Sequence, residues 1–496
     1  MAEEPAAPLA LGLDLGTSAV KSALIDAYGR LLAGGEAPID TLSFGAGAAE
    51  QDTAAWLTAT QRAVAQLAQA ADVRIPGWRA RTAAIGLAAQ LPTLVVLGEH
   101  GPLGPAITWK DARADASAAG VIGPRRRELY EATGMPLDGR YLAPMFHHHW
   151  RTRCAEVRAI LSAKDYLCWA LTGARVTDPS TAAGYGLFDL AAGDFSVSLC
   201  ELWEVPRKLL PQVRPAHSIA GPLHDAGATL LGLRRGVPVT VGAADSVSSA
   251  FAMRALEDEG AACVVMGSST VILDAQRTAR TDPQMRYLLT PHAEAPWYAR
   301  EMDLLATGTG YRWLSELCGW RPGDLERLAA QSPAGAHGVS FAPYLAGGEQ
   351  GALWNPHLRG AILGLTLASG ASELARAFLE GVGFEIRRCI EVLAETSTVS
   401  EIVLAGHLAQ VPFARQLLAD ILARPVQPFP PVAAAAVGAA LGSLRALEPA
   451  TPVRLQGDWP PPVVPGAACS AYHSLYAQYL AASARCGAPE RAPAPR

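Results

Sequence analysis

Short apolar runs alternate with longer stretches of helical period along most of the chain. Residues 9–26 read LALGLDLGTSAVKSALID, an aliphatic run, a small acidic and hydroxylated turn, and a second aliphatic run. That pattern predicts a strand, a tight turn and a returning strand. Up to about residue 239, strand-like runs at 83–88, 93–97 and 106–109 are interleaved with helical patterns at 53–69, 111–119 and 164–171. Such interleaving predicts an α/β lobe.

The second half repeats the plan. Residues 261–266 form an apolar run, Gly267, Ser268, Ser269 and Thr270 a small hydroxylated turn, and residues 271–273 a returning strand. In 371–394, Leu374, Phe378, Val382 and Ile386 recur every four residues with charged residues between them, which predicts an amphipathic helix. A strand follows at 401–405, helices at 411–422 and 433–447, a proline-rich stretch at 460–465, and a last helix at 473–482 before an end expected to fray. The segment Arg234-Arg235-Gly236-Val237-Pro238 leads into a new apolar strand, and the crossover between lobes is placed there. The expected organisation is therefore an N-terminal domain over 1–238, a C-terminal domain over 239–447 and an extension over 448–496.

Composition narrows the classes. Half of the 496 residues are hydrophobic and 18% are charged, enough apolar material for two large cores. With 41 Lys and Arg against 46 Asp and Glu, net −5, and no basic stripe, nucleic acid is not an expected partner. No run of eighteen uninterrupted apolar residues predicts a membrane span, and MAEEPAAP lacks the form of a secretory signal. The eight cysteines are scattered without CxxC spacing, as in a cytoplasmic protein with reduced thiols.

The two small turns carry the first chemistry. Asp14 ends an aliphatic run, and the backbone N–H groups of Gly16, Thr17 and Ser18 can converge on an anion, a phosphate-sized site. Gly267 to Thr270 provide the same device in the other half, so the two hairpins face a shared cleft. Asp245 follows a buried strand where the lobes should meet. Gly308-Thr309-Gly310 permits close backbone approach by a nucleotide. Adjacent positions His147, His148 and His149 diverge on a helix and are read as packed or solvent-facing rings rather than metal ligands.

These motifs, in this order over residues 9–445, resemble the FGGY family of carbohydrate kinases. DLGTSAVK resembles the first phosphate loop, and Glu50, Gln51, Asp52 and Trp56 the segment after it. PAITWKDARA resembles the sugar-pocket strand, SAKDYLCWALTG with TDPSTAAGYGLFD a further family run, and VGAADS the stretch with the catalytic aspartate. GSST resembles the second phosphate loop, and FAPYLAGGE with RGAILGLTLASGASELARAFLEG the long family signature, in which Phe378 stands where a smaller residue is usual.

The resemblance implies a two-lobed, actin-like (ribonuclease H-like) ATPase fold with ATP and Mg2+ bound in the cleft. Phosphoryl transfer to a hydroxyl needs in-line positioning, a metal to neutralise charge, and a base for the hydroxyl proton. Asp245 is the expected base, and it is grouped with Asp14 at the metal, which Asp14 would hold through water. Thr17, Ser18 and Gly16 with Gly267 to Thr270 would cradle phosphates, and Gly308, Gly310, Gly406 and His407 would border the nucleotide. For the sugar the expected contacts are Gln90, Trp109, Asp111, Arg113 and Asp245.

Two departures bear on the sugar and a third on the nucleotide. Xylulose kinases usually carry Met-His after Gly-Gln, whereas this chain reads Ala89-Gln90-Leu91-Pro92-Thr93; Ser246 stands where asparagine is common; and the adenosine loop reads Ala405-Gly406-His407-Leu408-Ala409, with one glycine of about three. A ketopentose such as D-xylulose leads as substrate. Another pentulose, a polyol or a sugar acid, or a catalytically poor sugar-binding relative, are the alternatives. A homodimer is compatible with the sequence.

Overall fold

The computed structural model describes residues 7–43, 45, 47–253, 260–346, 348–355, 357–449 and 454–487. Leu9–Leu15 is buried at every position and pairs antiparallel with Ala19–Asp26 and parallel with Thr82–Ala89. The full sheet runs Ile219–Pro222, Pro238–Thr240, Thr82–Ala89, Leu9–Leu15, Ala19–Asp26, Leu31–Pro38, with Ala243–Ala244 also beside Thr82–Ala89. A second sheet repeats the scheme. Ala261–Met266 pairs antiparallel with Thr270–Gln276 and parallel with Glu401–Gly406, and Gln427–Pro428 extends the parallel side. The molecule is the expected two-lobed α/β structure of the actin-like, ribonuclease H-like type.

Two helices, Asp245–Ala252 and Ala434–Leu447, lie between the sheets. One buried cluster joins Ala10 and Ala23 of the first sheet, Cys263 and Val403 of the second, and Ala250 and Ala436 of the helices. Small residues are required here. A Cβ on Gly438 would stand 1.9 Å from the Ser248 carbonyl oxygen, and one on Gly12 would stand 1.8 Å from that of Ala436. The alanine-rich composition of 433–447 thus follows from backbone contact on two sides.

Several expectations change. Pro238–Thr240 and Ala243–Ala244 belong to the first sheet, so the strand assigned to the second domain completes the first. The chain passes to the second sheet only after the helix Asp245–Ala252. The helix expected at 111–119 is Asp115–Ile122. Ala371–Ala394 has the expected bounds but is enclosed over most of its length, and its charges are paired internally: Arg376 Nε donates to Glu380 Oε1 at 2.7 Å. The last helix, Cys469–Ser483, sends Tyr472, Tyr476 and Tyr479 into the second lobe's core. The end expected to fray lies outside the described residues.

Candidate active site

The two phosphate-type turns meet across the cleft, with Ser18 Oγ 3.4 Å from Ser268 Oγ. Each turn is closed by its own backbone bond, Gly16 N to Ala19 O at 3.1 Å and Gly267 N to Ser269 O at 2.8 Å. Thr309 N donates to Ser268 O at 3.0 Å, and a Cβ on Gly308 would lie 2.2 Å from Gly267 O. Gly308 therefore lets the helix Gly308–Cys318 start against the second turn.

Two chambers open from this junction. The larger, about 750 Å3, runs past Asp14, Gly16 to Ser18, Gly267 to Ser269, Gly308 and His407. The smaller, about 130 Å3, is bounded by Gln90, Trp109, Arg140, Tyr141, Glu301 and Asp303, among others. Asp245, Ser246, Ser269, Thr17 and Trp109 border both.

Asp245 is the first residue of its helix, and Ser246 N donates to its Oδ1 at 2.9 Å. Burial pushes its carboxyl up to about 8, and the negative charge of Asp14 acts in the same direction. A base in that range takes a hydroxyl proton effectively near neutral pH. Asp14 is 6% exposed and sits opposite Lys21 in the hairpin register. Burial raises it to about 6, partly offset by Lys21, and its Oδ1 has no partner. A buried, partnerless carboxylate oxygen facing a second carboxylate suits a hard divalent cation. Among the described residues no three His, Cys, Asp or Glu side chains converge. Asp14 and Asp245 would thus hold Mg2+ together with water and phosphate oxygens.

The surrounding residues explain several motifs. Gln51 Nε2 donates to the Thr17 carbonyl at 2.8 Å, while its Oε1 accepts from Trp56 Nε1 at 2.9 Å and Gln90 Nε2 at 2.8 Å. The Glu-Gln-Asp-Trp segment thus braces the first turn, and Asp52 caps the helix that carries Trp56. Trp109 Nε1 reaches Thr17 Oγ1 at 3.1 Å. From the other side, Ser162 and Asp165 form a capping box, and Lys164 Nζ donates to the Val241 carbonyl at 2.8 Å. Ser180 Oγ accepts from Ala244 N at 3.0 Å, fixing the residue before Asp245.

Four expected contacts stand elsewhere. Asp111 and Arg113 border neither chamber: Asp111 accepts from Ala49 N at 3.0 Å and from Arg113 Nε at 2.9 Å, and Arg113 also pairs with Glu50 at 2.6 Å. Burial works against the Asp111 carboxylate, yet Arg113 and two backbone N–H groups hold it below the usual range. These two side chains satisfy each other and shape the loop. Thr270 is fully buried, its hydroxyl 2.8 Å from that of Thr307. Gly310 faces Phe378, whose ring would lie 3.2 Å from a Cβ there. The unusual Phe378 is accommodated by that glycine and packs edge-on against Phe341 at 5.3 Å.

In the adenosine loop, Gly406 has φ +93° and a Cβ would be 2.2 Å from Met266 O, so the surviving glycine is required. Leu408 turns into the core while His407 lies exposed on the chamber wall. The three histidines have separate neighbours: His147 Nδ1 lies 3.1 Å from Trp203 O, His148 Nδ1 lies 3.2 Å from Ser117 Oγ, and burial lowers His149 to about 4.

Sequence reasoning missed Arg140, Tyr141, Glu301 and Asp303. A signal existed for the two acids. Glu301 and Asp303 are two apart in Tyr298–Leu304, which puts both on one face of the strand.

Family comparison agrees with this geometry. The N-terminal domain of the FGGY family of carbohydrate kinases matches residues 9–252, and its C-terminal domain matches 262–447. Xylulose kinase of Escherichia coli strain K12 is 28% identical over 417 residues, 83% of this chain and 84% of that protein. Glycerol kinase of Gloeobacter violaceus is 30% identical over 440 residues, 84% of each. The crystal structure of xylulose kinase from Rhodospirillum rubrum superposes with a TM-score of 0.83 at 28% identity, covering 96% of this chain and 98% of that one. A gluconate kinase from Lactobacillus acidophilus, 24% identical, shares the fold with a TM-score of 0.86 over 97% of this chain and 99% of its own. No helix among the described residues is long and apolar enough to cross a membrane. With both domains matched and the cleft assembled from the corresponding motifs, the chain belongs to the FGGY family of carbohydrate kinases and is an ATP-dependent sugar kinase.

Proposed function

We propose that this kinase phosphorylates a ketopentose, first D-xylulose to D-xylulose 5-phosphate, with Asp245 as general base. The observation that carries the reading is the meeting of two chambers at Asp245. The larger one borders both phosphate-type turns and the smaller one is of a size for a single small sugar. A hydroxyl seated in the small chamber would present its proton to Asp245 and its oxygen to the mouth of the nucleotide channel, the in-line placement that transfer demands. Mg2+ supplies charge neutralisation when bound. The protein's own part is to hold the hydroxyl, accept its proton and exclude water from the junction.

The xylulose kinases among the relatives support a pentulose. The departure at Leu91 and Pro92 lies on the wall of the small chamber, where it would bear on which sugar is accepted. A coupled ADP-release assay over xylulose, ribulose, erythritol, glycerol and gluconate tests the reading. Xylulose or ribulose should give the highest kcat/KM. Absence of turnover with every sugar, despite binding, would overturn it in favour of a sugar-binding relative.

A further inference from the structure

The small chamber has an uneven supply of hydrogen-bonding groups. Gln90 is 1% exposed and its Oε1 has no partner; Asp303 Oδ1 is likewise buried and partnerless. Both side chains border the chamber, with Glu301 on the same face of the same strand as Asp303. Two nitrogen-bearing side chains on the wall are turned to Asp138. Arg140 gives Nε and Nη2 to Asp138 Oδ2 at 3.0 and 2.5 Å, and Gln350 Nε2 reaches the same oxygen at 3.2 Å. Asp138 is the ion-pair partner of Arg140, whose charge also acts on Asp303, and among the described residues no ion pair includes Asp303 or Glu301.

We infer that Glu301 and Asp303, with Gln90, select a neutral, hydroxyl-rich substrate and reject sugar acids. Each open acceptor needs an O–H donor, which a polyol supplies at every carbon and a ketose at every carbon but its carbonyl, and which an ionised carboxylate group cannot supply. A carboxylate placed in the chamber would also face like charge. At about 6 Å and an effective dielectric near 20, one such pair weakens binding by about 100-fold. Burial raises Asp303 to about 6, with Arg140 acting the other way, and raises Glu301 well above the usual range, with the charges of Asp303 and Asp245 acting in the same direction. The fold neighbour named as a gluconate kinase therefore shares this architecture without sharing, on this inference, the preference of this chain.

The inference rests on the kinase reading only for where the substrate sits, and it is tested by binding. Isothermal titration of the full chain with D-xylulose, xylitol and D-xylonate, three ligands of one carbon number, should show the xylonate at least about 100-fold weaker than the better neutral ligand. In Asp303→Asn and Glu301→Gln/Asp303→Asn, the gap should narrow to under about 10-fold, through tighter xylonate binding. Xylonate binding the unaltered protein as well as xylulose would overturn the inference, whatever the variants do. So would a folded double variant, checked by circular dichroism, that leaves the ratio unchanged; Asp303→Ser serves if the double variant does not fold. ADP release measured on the same ligands separates the two ideas: discrimination in binding with no turnover would remove the proposed pentulose phosphorylation and leave this inference standing.

Discussion

Replacing Lys164 with methionine should damage both the stability of the first lobe and the placement of Asp245, the proposed base. The lysine is 1% exposed, its Nζ lies 3.0 Å from Asp165 Oδ1 and 3.3 Å from Asp178 Oδ1, and it donates to the Val241 carbonyl, four residues before Asp245. Both acids are fully buried. Asp178 in turn accepts from the Ser180 and Thr181 N–H groups, and Ser180 holds Ala244 N. Methionine matches the volume but leaves two buried carboxylates without their cation, a loss of about 3–5 kcal/mol. For a lobe of this size that corresponds to a fall in melting temperature of roughly 6–20 °C. Displacing the 241–245 segment by a fraction of an ångström should also lower kcat by about 10- to 100-fold. Denaturant melts followed by intrinsic fluorescence give the first quantity and steady-state kinetics the second. Adding Asp178→Asn to the variant should restore at least about 1 kcal/mol, because one stranded charge is removed. A Lys164→Met protein within about 1 kcal/mol of the parent, with unchanged kcat, would refute the argument.

Three further outcomes follow from the cleft. Gly308→Ala places a Cβ 2.2 Å from Gly267 O and should raise KM for ATP at least about tenfold while leaving sugar binding intact, as product-release kinetics and sugar titrations would show. Asp14→Asn should raise the Mg2+ concentration for half-maximal rate by about 10- to 100-fold, read from metal titrations of turnover. Asp245→Asn should stabilise the ligand-free protein, and more so at pH 8 than at pH 5. The folded pKa of about 8 lies above the unfolded value of about 3.9, so the penalty is absent below about pH 4 and grows as pH rises to about 8. A thermal-shift series over pH 4–9 showing no gain, or a gain that shrinks with pH, would contradict that assignment.

The parts of this site that were legible in the sequence are those written in contiguous residues. A strand, a small turn and a returning strand are local, and so both phosphate-type hairpins and the aspartate at the start of Asp245–Ala252 stand where the pattern puts them. The small chamber is different. Its wall joins Gln90, Arg140, Ser180 and Glu301, which no periodicity connects. Asp111 and Arg113 have the right chemistry for a sugar, but two residues apart they reach each other first. Charged residues in Ala371–Ala394 suggested a wet face because single-helix periodicity cannot show a partner; Glu380 accepts from Arg376 one turn away and from Tyr472 of the last helix at 2.7 Å. Gly310 illustrates the same limit, since its small size serves Phe378 rather than a nucleotide.

In the proposed reaction Asp245 removes the proton from a hydroxyl held in the small chamber. Turnover of Asp245→Asn, measured by ADP release with D-xylulose at saturating Mg2+ and ATP alongside calorimetric sugar binding, tests it most directly. The expected outcome is a fall in kcat of about 10²- to 10⁴-fold with a change in sugar affinity of less than tenfold. Turnover within tenfold of the parent enzyme would contradict it.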